Sequence, residues 1–298
     1  MAVDKRALIT GVGGFTGRYV AAELASAGYE VFGIGTHASA DAHYRQVDLQ
    51  DLAGLRRVIA EIRPQAVVHL AAVAFVAHGD ANDFYRVNLM GTRNLLQALA
   101  DSRSDVECIL LASSANVYGN ATAAVITEAT PSRPANDYAV SKLAMEHMAN
   151  LWMDTLPIVI VRPFNYTGVG QAESFLLPKI VSHFRRRVAK IELGNLDVWR
   201  DFSDVRAVAQ AYRRLLECKP LGQTVNVCSG QTHSLREVLA MAEALSGHSL
   251  EVEVNPAFVR ANEVRSLRGD PARLVSLIGA WSSPPLEETL RWMLETRA

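Results

Sequence analysis

Cysteine is scarce and unpatterned in this 298-residue chain: Cys108, Cys218 and Cys228 are odd in number, far apart and set among apolar neighbours. They support neither a disulfide framework nor a CxxC metal signature, and buried free thiols in a reducing compartment are the expectation. Lysine is scarce too. Only 5 of the 30 basic residues are Lys, and 31 acids offset them, so the basic excess that a nucleic-acid partner demands is missing. The bias toward Arg suits planar recognition of a phosphorylated small ligand instead. Long apolar runs are also lacking. After Asp4, Lys5 and Arg6 the first apolar stretch is too short for a signal peptide, and no later one reaches membrane-spanning length. No membrane partner and a cytoplasmic location are expected. His78 and His147 have no second His or Cys at ligand spacing, so no metal is assigned.

What is present is a globular composition, 49% hydrophobic and 20% charged, with strand-length apolar runs alternating with helix-period segments. Ala7 to Thr10, Val31 to Ile34, Ala66 to Leu70, Cys108 to Ala112 and Ile158 to Val161 read as buried strands. Phe15 to Ala27, Leu52 to Arg63, Phe84 to Ala100 and Tyr138 to Trp152 read as crossover helices. This is the pattern of an α/β, Rossmann-type, doubly wound parallel sheet. The alternation weakens after Pro163, which places a smaller substrate-binding lobe at the C-terminal end. Residues 1–165 are expected to form the dinucleotide-binding domain, to which the chain returns near 203–245 through a strand at Thr224 to Cys228; residues 166–298 mainly form the lobe.

The first strand runs directly into Gly11-Val12-Gly13-Gly14-Phe15-Thr16-Gly17 and then a helix. Gly11, Gly14 and Gly17 stand at GxxGxxG spacing, in the strand–turn–helix context that cradles a dinucleotide pyrophosphate against backbone N–H groups. The second strand ends in Gly33-Ile34-Gly35-Thr36-His37, with no acid until Asp41 to hold a ribose 2′-hydroxyl. NADP(H) is therefore preferred over NAD(H), with Arg18, His37 or Ser39 available to a 2′-phosphate.

Tyr138-Ala139-Val140-Ser141-Lys142 puts a phenol and an ammonium on one helix face. With 8 Tyr and 5 Lys in the whole chain, chance is a poor explanation of that spacing. The cation is expected to stabilise the phenolate and bring the phenol toward a working pKa. Upstream, the strand Cys108 to Ala112 ends in Ser113-Ser114, where a hydroxyl can bond the substrate oxygen that gains or loses the proton.

TGVGGFTG, SSANVYG, YAVSK and RPFNYTGVGQ together resemble the extended short-chain dehydrogenase/reductase family acting on nucleotide sugars, over almost the whole chain. Arg162 to Gln171, Trp199 to Asp204 and Asn226 to Gly230 are most similar to the GDP-6-deoxy-4-keto-D-mannose reductases, which form GDP-D-rhamnose. The resemblance implies Ser114, Tyr138 and Lys142 as catalytic triad. It implies cofactor contacts at Gly11, Gly14, Phe15, Thr16, Gly17, Thr36, His37, Asp48, Leu49, Leu70, Ala71, Ala72, Val73, Asn88, Tyr138, Lys142, Arg162 and Phe164. For the nucleotide-sugar substrate it implies Ser114, Asn165, Lys179, Arg200 and Arg260. It also implies a homodimer through a four-helix bundle built on the helices beginning near Asn88 and Tyr138.

A 4,6-dehydratase needs an acid–base carboxylate just after the triad serine, and Ala115 and Asn116 stand there. Reduction of a C4 ketone is therefore expected ahead of 4-epimerisation, with dehydration or a non-catalytic dinucleotide-binding role behind both. Three departures bear on detail. Asp137 replaces the usual Pro before the tyrosine and is expected to point outward. Tyr166 and Val169 stand where these reductases often carry His and Pro, which touches sugar specificity.

Overall fold

The computed structural model describes residues 5–74, 80–102, 105–258 and 266–296. The first half runs β1 (Lys5–Thr10), α1 (Phe15–Ser26), β2 (Tyr29–Gly35), β3 (Tyr44–Gln46), α2 (Leu52–Ile62) and β4 (Ala66–His69). A short α3 (Ala81–Asp83) leads into a π-helical stretch, Phe84–Gly91, continued by α4 (Thr92–Ser102), β5 (Cys108–Ala112), α5 (Asp137–Asn150) and β6 (Ile158–Pro163). The remainder is β7 (Asn165–Thr167), α6 (Leu176–Arg185), β8 (Lys190–Leu193), β9 (Trp199–Asp204), α7 (Val205–Cys218), β10 (Thr224–Val227), β11 (Thr232–Ser234), α8 (Leu235–Ser246), β12 (Glu251–Val254), β13 (Ser266–Leu267), α9 (Ala272–Ile278) and α10 (Leu286–Glu295).

Seven strands form one sheet in the order β10-β6-β5-β4-β1-β2-β3, parallel at every junction. β4 and β6 are buried along their whole length, and β5 except at Ala112, because helices cover both faces of the sheet. Alternate residues of β1 feed opposite cores. Ala7 and Ile9 pack with Val20 and Leu24 of α1 and Val208, Tyr212 and Leu215 of α7. Leu8 packs instead with Leu55 and Ile59 of α2, Leu95 and Leu99 of α4 and Met145 of α5. The chain order reverses between β1 and β4, so a crevice opens at their carboxyl ends, where such folds bind ligands. β3 has only three residues and carries no apolar run by which the sequence would betray it.

A separate core joins Leu177, Ile180 and Phe184 of α6, Leu235 and Val238 of α8, and Leu286 and Leu290 of α10. The return to the main sheet is thus shorter than the 203–245 expected from sequence. It takes in α7 and β10, but α8 turns its apolar face to α6 and α10. α9 then returns in its place, burying Leu274 and Ile278 in the α1 and α7 core. Cys108 and Cys228 are buried free thiols, whereas Cys218 is exposed. Among the described residues no helix is long and apolar enough to cross a membrane.

Candidate active site

The glycine turn closes β1 onto α1 by contacts that leave no room for a side chain at Gly11 or Gly17. Gly11 has φ of +71°, and a Cβ on it would stand 2.9 Å from the Ala71 nitrogen. A Cβ on Gly17 would stand 2.3 Å from the Gly11 oxygen. Gly14 is the extended N-cap of α1, without a side-chain cap and without an acid in the first turn. The N–H groups of the first turn are therefore left for an anion, and the close-fitting cradle suits a dinucleotide pyrophosphate. Phe15 stacks on Tyr166 at 6.1 Å between ring centroids, and Thr16 Oγ1 bonds the Tyr166 hydroxyl at 2.8 Å. The turn is thereby tied to β7.

Leu70 to Val73 follow β4 beside this turn. The Leu70 and Ala71 N–H groups both donate to Thr10 Oγ1 at 3.1 Å. Val73 is clamped through both backbone polar groups by Asn88, which lies in the π-helical stretch. His69, the last residue of β4, is buried and bonded at both ring nitrogens, Nδ1 to Thr10 Oγ1 at 2.7 Å and Nε2 to Thr92 Oγ1 at 2.8 Å. Burial, aided by the Lys142 charge, pushes its pKa from 6.5 down to about 3. The folded state therefore refuses a proton that the unfolded chain accepts. Above about pH 6.5 His69 leaves stability unchanged, and from there down to about pH 3 it removes stability progressively, by about 1 kcal/mol per pH unit. Urea unfolding at stepped acid pH should show this slope, diminished in a His69→Asn variant.

On the other side of the crevice, Asn136 Oδ1 accepts the Ala139 N–H at 2.9 Å and starts α5, so Tyr138 and Lys142 fall in its first two turns. Ser114 caps the 3-10 turn Ala115–Tyr118 by accepting the Asn116 N–H, and its hydroxyl favours ionisation of the Tyr138 phenol. Tyr138 is 8% exposed and Lys142 4%. Burial pushes the phenol up to about 12 against the opposing influence of Ser114, and pushes Lys142 down to about 8. This corrects the expectation that Lys142 lowers the phenol pKa. In the protein as it stands the ammonium is anchored 2.8 Å from the Ala112 carbonyl oxygen, and burial dominates both groups. Tyr138 is accordingly held as an acid. Asp137 turns away, accepting the Tyr85 hydroxyl at 2.8 Å.

One turn below Lys142, Glu146 is buried against Arg162. Arg162 Nε donates to Glu146 Oε1 at 2.9 Å and a terminal nitrogen to Oε2 at 2.6 Å. The other terminal nitrogen donates to the Tyr118 hydroxyl at 2.9 Å, which donates to Asn226 Oδ1 at 2.7 Å. The Ser113 hydroxyl also donates to Glu146. All three guanidinium nitrogens of Arg162, expected in the cofactor groove, are thus engaged behind the triad.

The remaining candidates are dispersed. Thr36 and His37 are exposed beyond β2, and Arg18 extends to within 4.0 Å of where a Cβ on Gly170 would lie, toward the β7–α6 loop. Asp48 accepts the Gln50 N–H, and Leu49 is buried with its carbonyl held by Asn94. Phe164 is buried beside Tyr118. Asn165 reaches the Asp201 carbonyl oxygen at 3.5 Å. The Lys179 ammonium donates to the Glu192 carbonyl at 2.7 Å and sits 4.7 Å from the Phe258 ring centroid. Arg200 donates to the Trp199 carbonyl, and Arg260, like His78, lies outside the described residues.

Sequence reasoning missed His69, Glu146 and Asp201. Asp201 is fully buried on β9, and its carboxylate accepts the Ser229 N–H and hydroxyl and the Gly230 and Gly269 N–H groups. Glu146 carried a signal, an acid four residues past Lys142 on the same helix face. So did His69, a polar residue ending an otherwise apolar strand.

A family model described as GDP-mannose 4,6 dehydratase matches residues 8–293. The chain belongs to that family. Within it, the chain is 35% identical to the GDP-6-deoxy-D-mannose reductase of Pseudomonas aeruginosa, over 98% of this chain and 97% of that one. It is 34% identical to the GDP-6-deoxy-D-talose 4-dehydrogenase of Aggregatibacter actinomycetemcomitans, over 91% and 90%. Among solved structures, a chain of Burkholderia cenocepacia J2315 provisionally described as an epimerase is 52% identical, with a TM-score of 0.92 over 98% and 97% of the two chains. The structure of RMD from Pseudomonas aeruginosa complexed with NADPH is 34% identical, with a TM-score of 0.87 over 97% of each. The GDP-mannose 4,6-dehydratase family thus includes extended short-chain reductases and dehydrogenases similar to this chain along nearly their whole length.

Proposed function

We propose that the protein reduces the C4 ketone of a GDP-linked 4-keto-6-deoxy sugar with NADPH, taking GDP-4-keto-6-deoxy-D-mannose to GDP-D-rhamnose. The observation that carries this is a buried Tyr138 phenol, held as an acid by its burial, in a site where Ser114 is also buried and the next two residues, Ala115 and Asn116, hold no carboxylate. Reduction needs an acid at the ketone oxygen and nothing that abstracts the C5 proton. The nicotinamide supplies the hydride when bound. Tyr138 donates the proton to the developing alkoxide, Ser114 holds that oxygen, and Lys142 keeps a positive charge nearby. Relatives named as GDP-6-deoxy sugar reductase and dehydrogenase support the substrate class. The exposed, acid-free end of β2 and the NADPH held by a similar structure support the cofactor.

The proposal retains the division into a dinucleotide-binding domain and a sugar lobe, with Asn165 and Arg200 on the sugar side. It also retains a cytoplasmic location, in keeping with the free thiols. The homodimer through the Asn88 and Tyr138 helices is part of it too, since Met90, Val140 and Leu151 stand exposed there.

Purified protein is to be given NADPH or NADH with GDP-4-keto-6-deoxy-mannose, following the reduced-nicotinamide absorbance and identifying the sugar by NMR. Stoichiometric oxidation to a GDP-6-deoxyhexose, faster with NADPH, is expected. Interconversion of GDP- or UDP-hexoses without net oxidation would mean a 4-epimerase, the second reading, which the description of the Burkholderia chain favours. As pH rises through about 8 Lys142 loses its charge, so kcat/KM, which reports the free enzyme, should fall above that pH.

A further inference from the structure

We propose that His69 is a positioning residue that couples the dinucleotide-binding turn to the catalytic helix through a hydrogen-bond chain of fixed direction. The proposal rests on the reductase reading of the site and adds to it a residue outside the triad.

Donor counting fixes every link. Thr92 Oγ1 donates to the Asn88 carbonyl at 2.7 Å, an oxygen that can only accept. The single Thr92 proton is thereby committed, so its oxygen accepts from His69, and Nε2 carries the ring proton. Nδ1 is then bare and accepts from Thr10 Oγ1. The Thr10 oxygen in turn receives the Leu70 and Ala71 N–H groups, beside the Gly11 turn. At the other end the Asn88 amide donates to the Val73 carbonyl at 3.1 Å and to Ser141 Oγ at 3.0 Å. Ser141 Oγ donates to the Tyr138 carbonyl at 2.8 Å. Two runs thus meet at Asn88, one ending on its backbone carbonyl and the other starting at its side-chain amide, and together they link the turn after β1, the loop after β4, the π-helical stretch and the residue bearing the phenol. A π-helical stretch is a common mark of a functional site, and this one carries Asn88.

Imidazole is suited to the middle of the run because it accepts at one edge and donates at the other. Each end can be mimicked separately. Asn places its amide oxygen where Nδ1 accepts from Thr10 but does not reach Thr92. Gln places its amide nitrogen where Nε2 donates to Thr92 but gives Thr10 no matching acceptor.

The test begins with 15N NMR of the unmodified protein, which should show His69 neutral with the proton on Nε2 and no titration between about pH 5 and pH 8. NADPH affinity and kcat at saturating NADPH are then measured for H69N and H69Q. Loss of one buried hydrogen bond corresponds to about a fivefold to tenfold effect. H69N should lower kcat by about that factor with the NADPH Kd within about twofold, and H69Q should weaken NADPH by that factor with a smaller change in kcat. If either variant fails to fold, T92V should reproduce the kcat loss and T92S should restore it. A proton on Nδ1, or Kd and kcat moving together in both variants, would overturn the coupling. If the unmodified protein fails to oxidise NADPH with the GDP-linked ketone, the functional reading falls. The tautomer and the contrast in NADPH affinity still decide the role of His69.

Discussion

Tyr138→Phe should lower kcat by about 10²- to 10⁴-fold, the range set by loss of a positioned general acid, while NADPH affinity changes little. Phenylalanine fills the same volume against the Phe84 ring, which meets Tyr138 edge to face at 6.0 Å, so packing survives and only the hydroxyl is lost. That hydroxyl carries the proton that burial retains up to about pH 12. The stability cost should stay near about 1 kcal/mol, the worth of one hydrogen bond. A fall in kcat with a melting temperature lowered by no more than about 2 °C would therefore isolate the chemical role. Activity within tenfold of the unmodified enzyme would show that another group supplies the proton and would remove Tyr138 from the mechanism.

Glu146→Ala should be the most destabilising single change in the site. It leaves the Arg162 guanidinium buried with no counter-charge and takes the acceptor from Ser113, the residue before the triad serine. Breaking a buried ion pair from one side costs about 3–5 kcal/mol, or on the order of 10 °C in melting temperature for a chain of this size. Activity should fall with it, because the pair pins α5, β5 and β6 together behind the triad. The double variant Glu146→Leu, Arg162→Met should recover much of the stability, since an apolar pair avoids the uncompensated charge. Calorimetry of the three proteins decides the matter: a melting temperature unmoved in Glu146→Ala would mean that water reaches Arg162 freely.

The parts of the site legible in the sequence are those encoded by short spacing. Gly11, Gly14 and Gly17 lie within one turn and one helix start, and Tyr138 and Lys142 within one helical repeat, so the local pattern alone brings them together. His69 was not legible in the same way, because its partners Thr10 and Thr92 stand 59 and 23 residues away. Only the sheet order brings β1 beside β4. Arg162 and Lys179 show the same dependence on the fold, which gives Glu146 to one and the Glu192 carbonyl to the other, partners that no local spacing announces. The phenol pKa followed the same logic. Spacing implied a cation beside Tyr138, whereas burial and the Ala112 carbonyl, neither of them local, decide its protonation. Of the fold, the buried strands could be read from their apolar runs. β3 could not, nor could the exchange of α8 for α9 in covering the main sheet, which depends on where each amphipathic face finds its complement.

The lateral position of β10 has a consequence for biosynthesis. β6 lies between β5 and β10, so a nascent chain that has emerged only through Pro163 presents to solvent the hydrogen-bonding edge of a strand that is apolar from Ile158 to Val161. Such an edge is a template for pairing with another chain. The dinucleotide-binding half therefore cannot be completed on the ribosome before residues near Val227 have left the tunnel, and the small-lobe segments from β7 to β9 must be held aside meanwhile. A truncation after β6 should accumulate as aggregate, whereas one that retains β10 should resist it.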